Sequence, residues 1–273
     1  MKNYLKTNNI SVILGYLIAM VLGSFLGILI ICNIAATKYG ITLSEATNLL
    51  TLKDLNGLEP SMIKAYYFMQ SWNNLLSYVL IFGIVVFFGR GFIVEDFINL
   101  KSENKLNLLY SICFAILGFG LLYGSSVLFS WLSSLVSNVT SSENQNSFVG
   151  MITNGYGPIV FISVVFLAPI SEELVYRKSI FKFFKEKKLW YIPTLISGLV
   201  FALPHMLTTQ ESFLVWVIFF FSYFSSGVIL ALVYHFSDDN VIVSTICHML
   251  NNLLAFLLIV SVSYTHLRAH ETL

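Results

Sequence analysis

Six ionisable or amide side chains stand out within stretches of sequence that are largely apolar. A charged side chain at the centre of a membrane-spanning helix costs roughly 2.5–3.5 kcal/mol, so such residues usually pair, face water or carry a function. The six are Glu172, Glu173, Arg177, His205, His248 and Asn252. Their chemistry suits hydrolysis, because a carboxylate or imidazole can activate water, and an amide or imidazole can stabilise an oxyanion.

The two adjacent carboxylates are predicted to have different partners. Glu173 and Arg177 are four residues apart, which places them on one helix face in the order that favours an ion pair. Glu172 is rotated by about 100° from Glu173 and therefore points in another direction. A purely structural ion pair that fixes helix packing is the alternative interpretation of Glu173 and Arg177.

Each histidine shares a helix face with a second residue of interest. Phe201 and His205 are four residues apart, and so are His248 and Asn252. Counting from the nearest turns at about 1.5 Å per residue predicts one depth, in the cytoplasmic half of the membrane, for Glu172, His205 and His248. The structural alternatives are a core histidine at 205, hydrogen bonds that join helices at 248 and 252, and simple packing for Phe201.

The composition indicates an integral membrane protein. Of the 273 residues, 57% are hydrophobic and only 11% are charged, and the mean hydropathy is +0.80. Typical soluble domains contain about 25% charged residues, so a soluble chain of this length could not cover its surface with so few. The net charge of +1 is uninformative about nucleic acid, but no basic face accumulates outside a few loops, so no nucleic acid partner is expected and the lipid bilayer is the expected surrounding.

Seven apolar segments approach or exceed the length of about 20 residues that a membrane-spanning helix needs. They cover residues 10–35, 72–89, 106–132, 156–177, 189–207, 213–236 and 241–261. The expected fold class is an all-α polytopic transmembrane helix bundle of about seven spans, with six to eight left open. If the N-terminus is cytoplasmic, the inside segments hold eleven Lys and Arg residues and the outside loops three, which favours this orientation. The plasma membrane is the expected location.

The chain divides into three regions on this pattern. Residues 1–150 hold transmembrane helices and an outer-surface loop, and residues 151–261 form the expected catalytic core. Within the core, a hairpin turn is expected near residues 187–188 and a helix break at 208–212. Residues 262–273 turn polar abruptly, so they are expected to be a non-native or disordered tail and are left out of all site assignments.

Two outer connections have their own signatures. The loop at 37–70 contains Thr42-Leu-Ser-Glu45, a capping box that predicts a short helix lying on the outer surface. The loop at 133–150 is polar and rich in Ser and Asn, and it is expected to be mobile.

The polar residues form three motifs on successive apolar helices. These are Glu172-Glu173-x-x-x-Arg177, Phe201-x-x-x-His205 and His248-x-x-x-Asn252, in that order. Together they resemble the CPBP family, which contains the CAAX prenyl proteases and the bacteriocin-processing or immunity proteins, also called the Abi family. The resemblance covers residues 156–261. It implies an intramembrane glutamic peptidase or metallopeptidase, built as a helix bundle with a cavity open to the cytoplasmic side.

The resemblance also implies a role for each position. Glu172 and His205 match the first glutamate and the middle histidine, which activate water in that pattern. His248 and Asn252 match the residues that hold the oxyanion, and Glu173 matches an accessory glutamate. These roles agree with the general chemistry of peptide hydrolysis, which needs a base for water and donors aimed at the developing charge.

A metal-dependent scheme is the alternative chemistry. Zinc or another divalent metal would be held by His205, His248 and Glu172, with the second glutamate as the base. The sequence contains no His-Glu-x-x-His motif, so the metal-free scheme without a cofactor is favoured.

The expected function is that of an intramembrane endopeptidase whose substrate is a membrane-associated or lipidated peptide or protein. The alternative is a non-catalytic immunity or scaffold protein of the same family, which would tolerate the loss of the carboxylate base at Glu172. A transporter that uses the buried charges as a proton relay is a weaker third class, since no inverted repeat is visible. The sequence does not name the substrate.

Overall fold

Long helices make up almost all of the chain that the computed structural model describes, which is residues 8–52, 55–185, 189–207 and 211–271, with side chains up to 262. No strand occurs in these ranges, and six helical segments in them are long and apolar enough to cross a membrane. The helices are α1 Asn9–Tyr39, α2 Leu43–Leu49, α3 Pro60–Ser102, α4 Lys105–Val136, α5 Glu143–Met151, α6 over 157–185, α7 Tyr191–Met206, α8 Phe213–Phe236 and α9 Val241–Glu271. The predicted class, a multi-pass helical membrane protein, is confirmed.

The predicted spans fall on helices, but several helices run well beyond the predicted segments. Helix α3 begins at Pro60 rather than at residue 72, because proline is favoured in the first turn of a helix and polar residues can extend a helix beyond the apolar segment. Helix α9 continues to Glu271, beyond the predicted end of the last span at 261. The side chains of the suspected tail lie outside the described residues, so its origin stays a prediction.

The capping box in the outer connection is present as predicted. The backbone N–H of Thr42 donates to the Glu45 carboxylate at 2.7 Å, and the Glu45 N–H donates to the Thr42 hydroxyl at 3.1 Å. The Thr42 hydroxyl also donates to this carboxylate, at 2.8 Å, and the backbone N–H first and the hydroxyl second lower the pKa of Glu45. Buried Ala46 and Leu49 then pack helix α2 into an apolar cluster with α1 and α3, so this connection is fixed to the bundle.

The expectation of a mobile loop at 133–150 is wrong in one respect, because a capped helix occupies its second half. The Ser142 hydroxyl accepts from the backbone N–H of Gln145 at 3.3 Å and so opens helix α5. The same hydroxyl lies 2.8 Å from the hydroxyl of Tyr223 on α8. After α5 the chain turns sharply at Gly155, whose φ of 91° suits glycine. Polar composition here marks a helix tied to the bundle.

Helix α6 is the central element of the bundle. Two segments of wider π-helical turns, Phe161–Leu167 and Leu174–Phe181, flank the regular turn Ala168–Glu173. Residues 171–181 are all buried. Such wide turns are frequent at functional sites, because they rotate the side chains that follow them. In α6 they bracket the pair of glutamates.

Asp96 of α3 joins the C-terminal part of α6 to the beginning of α9. The Asp96 carboxylate pairs with the ammonium group of Lys178 and accepts from the backbone N–H of Val241 at 2.7 Å. Lys178 also donates to the carbonyl of Asp239 at 3.2 Å. The regions 1–150 and 151–261 are therefore packed into one bundle.

Helix α7, the fifth predicted span, is short and packs closely on α8. Its 16 residues are about 24 Å long, whereas the hydrocarbon core of a bilayer is about 30 Å thick. The expected hairpin turn at 187–188 and most of the expected break at 208–212 lie outside the described residues, but α7 does end at Met206, before the break. Gly198 of α7 and Gly227 of α8 allow the two backbones to meet, as small residues do between membrane helices.

Replacing Gly227 by alanine is expected to destabilise the bundle. The added Cβ atom would lie 2.8 Å from the Cα atom of Gly198, so α7 and α8 must separate, at an expected cost of about 1–3 kcal/mol. The free energy of unfolding, measured by titration with SDS, checks this. Gly83→Ala is the matched control, since a Cβ atom there meets no atom within 4 Å. Equal stability of the two variants would contradict the prediction.

Candidate active site

Glu172 of α6 and His205 of α7 line one cavity inside the bundle. The cavity has a volume of about 320 Å³, and helices α1, α3 and α5 complete its walls. The two residues are 33 positions apart in the sequence (205 − 172), and the pairing of α6 with α7 brings them to the same space. The residue count predicts a common depth in the cytoplasmic half of the membrane for these two residues and His248, and that depth stays a prediction.

The carboxylate of Glu172 is almost fully buried, with 6% of the residue exposed. Among the described residues it accepts no hydrogen bond, and the nearest ionic partner is the Nε2 atom of His248, at 4.0 Å from its Oε2 atom. A buried polar group without hydrogen bonds is unfavourable, so it needs water or a ligand as a partner. The cavity beside Glu172 provides room for that partner.

Glu173 has the opposite environment, although it is the next residue. It is fully buried, and its Oε2 atom lies 3.2 Å from the Nε atom of Arg177, which is the pairing that the spacing predicts. Its Oε1 atom lies 3.1 Å from the Nδ1 atom of His248. The Arg177 guanidinium makes no hydrogen bond to the described residues. Its charge is stabilised by the Glu173 carboxylate and by a cation–π contact with the Phe201 ring, 4.9 Å away. Glu173 therefore orients His248 and neutralises Arg177.

Phe201 and His205 contact each other on α7, as their spacing predicts. The two rings are 5.1 Å apart, and the ring of Phe201 also lies 5.8 Å from that of His248. His205 stacks on Tyr223 of α8 at 4.5 Å, with the two rings nearly parallel. Phe201 thus packs between the two imidazoles, while Tyr223 fixes the plane of His205.

Asn252 contacts α6 at a defect in the helix. The N–H of Ala168 donates to the carbonyl of Ser163 across a wide turn, and Pro169 has no N–H, so the helix supplies no donor to the carbonyl of Val164. The side-chain amide of Asn252 donates to this carbonyl at 2.9 Å. The structure therefore places Asn252 on the same side of α9 as His248, but neither residue is part of the cavity lining.

The metal candidates do not form a ligand set in this conformation. Within the described ranges, no three His, Cys, Asp or Glu side chains come together in a way that could hold a metal ion. To hold zinc, whose ligand atoms lie about 2.0–2.3 Å from the metal, the side chains of Glu172, His205 and His248 would have to move closer together, and the metal-dependent scheme stays a prediction.

The opposite wall of the cavity was not predicted from the sequence. It includes Tyr16 and Ser24 of α1, Tyr78 of α3, and Glu143 and Asn144 of α5. Tyr16 and Ser24 are eight residues apart and so share one helix face, which is a weak signal of a polar surface. The α5 residues follow an N-capping serine inside a segment that resembles an ordinary loop.

Comparison with known proteins supports the resemblance of the core. Residues 153–254 match the family model described as type II CAAX prenyl endopeptidase, Rce1-like. An uncharacterized protein of Mycoplasma capricolum is 28% identical over 170 residues, which are 60% of this chain and 47% of that protein. The UPF0177 protein YbdI of Lactococcus lactis is 29% identical over 161 residues, which are 58% of this chain and 82% of that protein. No solved structure gives a significant match.

Removal of either glutamate is expected to affect stability very differently. Glu173→Ala leaves Arg177 buried without a counter-ion, which should lower the free energy of unfolding by about 3–5 kcal/mol. Glu172→Ala removes a carboxylate that accepts no hydrogen bond from the described residues, so its loss should be much smaller. Titration with SDS measures both variants, and equal losses would show that the assigned environments are wrong.

Proposed function

We propose that this protein is an intramembrane endopeptidase that hydrolyses a peptide bond of a membrane-anchored peptide or protein. The observation that carries the proposal is the buried Glu172 carboxylate, which faces the same cavity as His205 and accepts no hydrogen bond within the described chain. The match of residues 153–254 to a family of prenyl endopeptidases supports the reaction class. The membrane location of the site supports a substrate that is itself held in the bilayer.

In the proposed reaction, a water molecule in the cavity is held between Glu172 and His205. Glu172 takes one proton from the water as the oxygen atom attacks the carbonyl carbon of the scissile peptide bond. A carbon–oxygen bond forms, and the carbonyl oxygen becomes an oxyanion. The carbon–nitrogen bond then breaks, and the proton passes from Glu172 to the leaving amine. The products are a carboxylic acid and an amine, which exchange a proton to become a carboxylate and an ammonium group, so the step consumes one water molecule and no cofactor.

His248 and Asn252 would stabilise the oxyanion. Glu173 holds the Nδ1 side of the His248 ring, so the Nε2 side faces Glu172, and an imidazolium would offer an N–H there. The amide of Asn252 has two N–H groups, and its recorded hydrogen bond to Val164 uses one. Movement of the second N–H toward the cavity on substrate binding would complete the site, since catalytic hydrogen bonds often tighten only with substrate.

Loss of the base or of the imidazole is expected to abolish cleavage. The protein is reconstituted in liposomes with a pool of acylated and farnesylated peptides of randomised sequence, and mass spectrometry reads the products. Glu172→Gln keeps the shape of the side chain but removes the base, and His205→Ala removes the second water ligand. Each should lower the cleavage rate by about 10²–10⁴-fold, the usual contribution of a general base.

Glu95→Gln is the matched control, because Glu95 is an exposed carboxylate on α3 outside the cavity lining. This variant should cleave the peptides at the wild-type rate. Wild-type rates in both site variants would refute the peptidase assignment. Absence of cleavage by the wild-type protein would favour the immunity or scaffold alternative.

Chelators are expected to leave the activity unchanged, because the proposed water activation uses Glu172 and His205 without a metal ion. The cleavage rate of the reconstituted protein is measured before and after incubation with EDTA and phenanthroline. Loss of activity that zinc restores would instead establish the metal-dependent scheme with Glu172, His205 and His248.

A further inference from the structure

One wall of the cavity lies inside the residues that match the endopeptidase family model, and the other wall lies outside them. Glu172 and His205 lie within residues 153–254, which match the endopeptidase family model. The facing wall comes from α1, α3 and α5, all of which precede that match. A substrate that reaches Glu172 must therefore contact side chains that the family match does not include.

The facing wall is polar and acidic. Its polar residues are Tyr16, Ser24, Ser77, Tyr78, Glu143, Asn144 and Ser147. They offer hydroxyl, amide and carboxylate oxygens, and neither lysine nor arginine occurs among the described residues that line the cavity. Glu172, which is buried and accepts no hydrogen bond from the described residues, adds a second carboxylate from the other wall. The cavity therefore favours a cation or a hydrogen-bond donor over an anion.

Glu143 is held in a defined position relative to the proposed catalytic histidine. It is half-buried in the first turn of α5, where the helix dipole favours a negative charge. The preceding residue, Ser142, is hydrogen-bonded to Tyr223 at 2.8 Å, and Tyr223 stacks on His205 at 4.5 Å. Two direct contacts thus connect the base of α5 to the histidine that faces the scissile bond.

From this arrangement we infer that the cavity selects peptides that carry a basic side chain, lysine or arginine, next to the scissile bond, with Glu143 as the residue that recognises it. The inference rests on the proposed peptidase function. An ion pair inside a membrane cavity is poorly screened, so the sign of one side chain can discriminate between substrates. A substrate with an acidic residue next to the scissile bond would bring a third negative charge close to the carboxylates of Glu143 and Glu172.

The test compares matched peptides. A peptide that the wild-type protein cleaves in the randomised pool is synthesised with lysine, alanine or glutamate at each position that flanks the scissile bond. The lysine peptide should have a kcat/KM at least about tenfold above that of the glutamate peptide, which corresponds to about 1.4 kcal/mol. The difference should lie mainly in KM, because recognition by Glu143 is separate from the chemical step.

Two variants assign the preference to Glu143. Glu143→Gln should reduce the ratio of kcat/KM between the lysine and glutamate peptides, while Glu143→Lys should reverse the preference. Glu95→Gln should keep the wild-type preference, and SDS titration confirms that each variant is folded. A Glu143→Lys variant that still prefers lysine would overturn the inference, as would equal cleavage of all three peptides by the wild type. Those results leave the peptidase assignment intact, whereas failure to cleave any peptide ends both proposals.

Discussion

The site depends on the need to neutralise each buried charge in a medium of low dielectric constant. Arg177 has no exposed surface, so it must have an anion beside it, and Glu173 supplies that anion at 3.2 Å. The same carboxylate is hydrogen-bonded to the Nδ1 atom of His248, and this bond fixes the imidazole ring between the two glutamates. With Glu173 committed in this way, Glu172 is the carboxylate that remains to face the cavity. Two identical side chains thus acquire different chemistry because they have different neighbours.

The irregular turns of α6 allow this helix to bond to α9 through its backbone as well as through its side chains. A regular helix would satisfy the carbonyl of Val164 internally, but the wide turn and Pro169 leave it for Asn252. The interaction joins α9 to α6 on the side of α9 that carries His248. A local defect in hydrogen bonding therefore contributes to the register between the two helices that carry the glutamates and the second histidine.

The residues that sequence reasoning placed correctly are those whose partners are one helical turn away. Spacing alone predicts the contacts of Glu173 with Arg177 and of Phe201 with His205, because helix geometry dictates them. The facing wall of the cavity escaped prediction because its contacts span the chain. Ser142 meets Tyr223 across 81 residues, and no local pattern encodes such a meeting. The wide turns of α6 were not predicted either, because their mostly apolar sequence does not differ from that of a regular buried helix.

The shortness of α7 has a consequence for the lipid around the protein. An apolar segment of about 24 Å is about 6 Å shorter than a hydrocarbon layer of about 30 Å, and lipids adapt to such a mismatch by local thinning. His205 lies one residue before the end of this segment. The headgroup region, with its water, is therefore drawn toward the bundle on the side where α7 ends. A chain anchored in the bilayer diffuses in two dimensions, and where the bilayer is thinned it would meet the water that the proposed hydrolysis consumes.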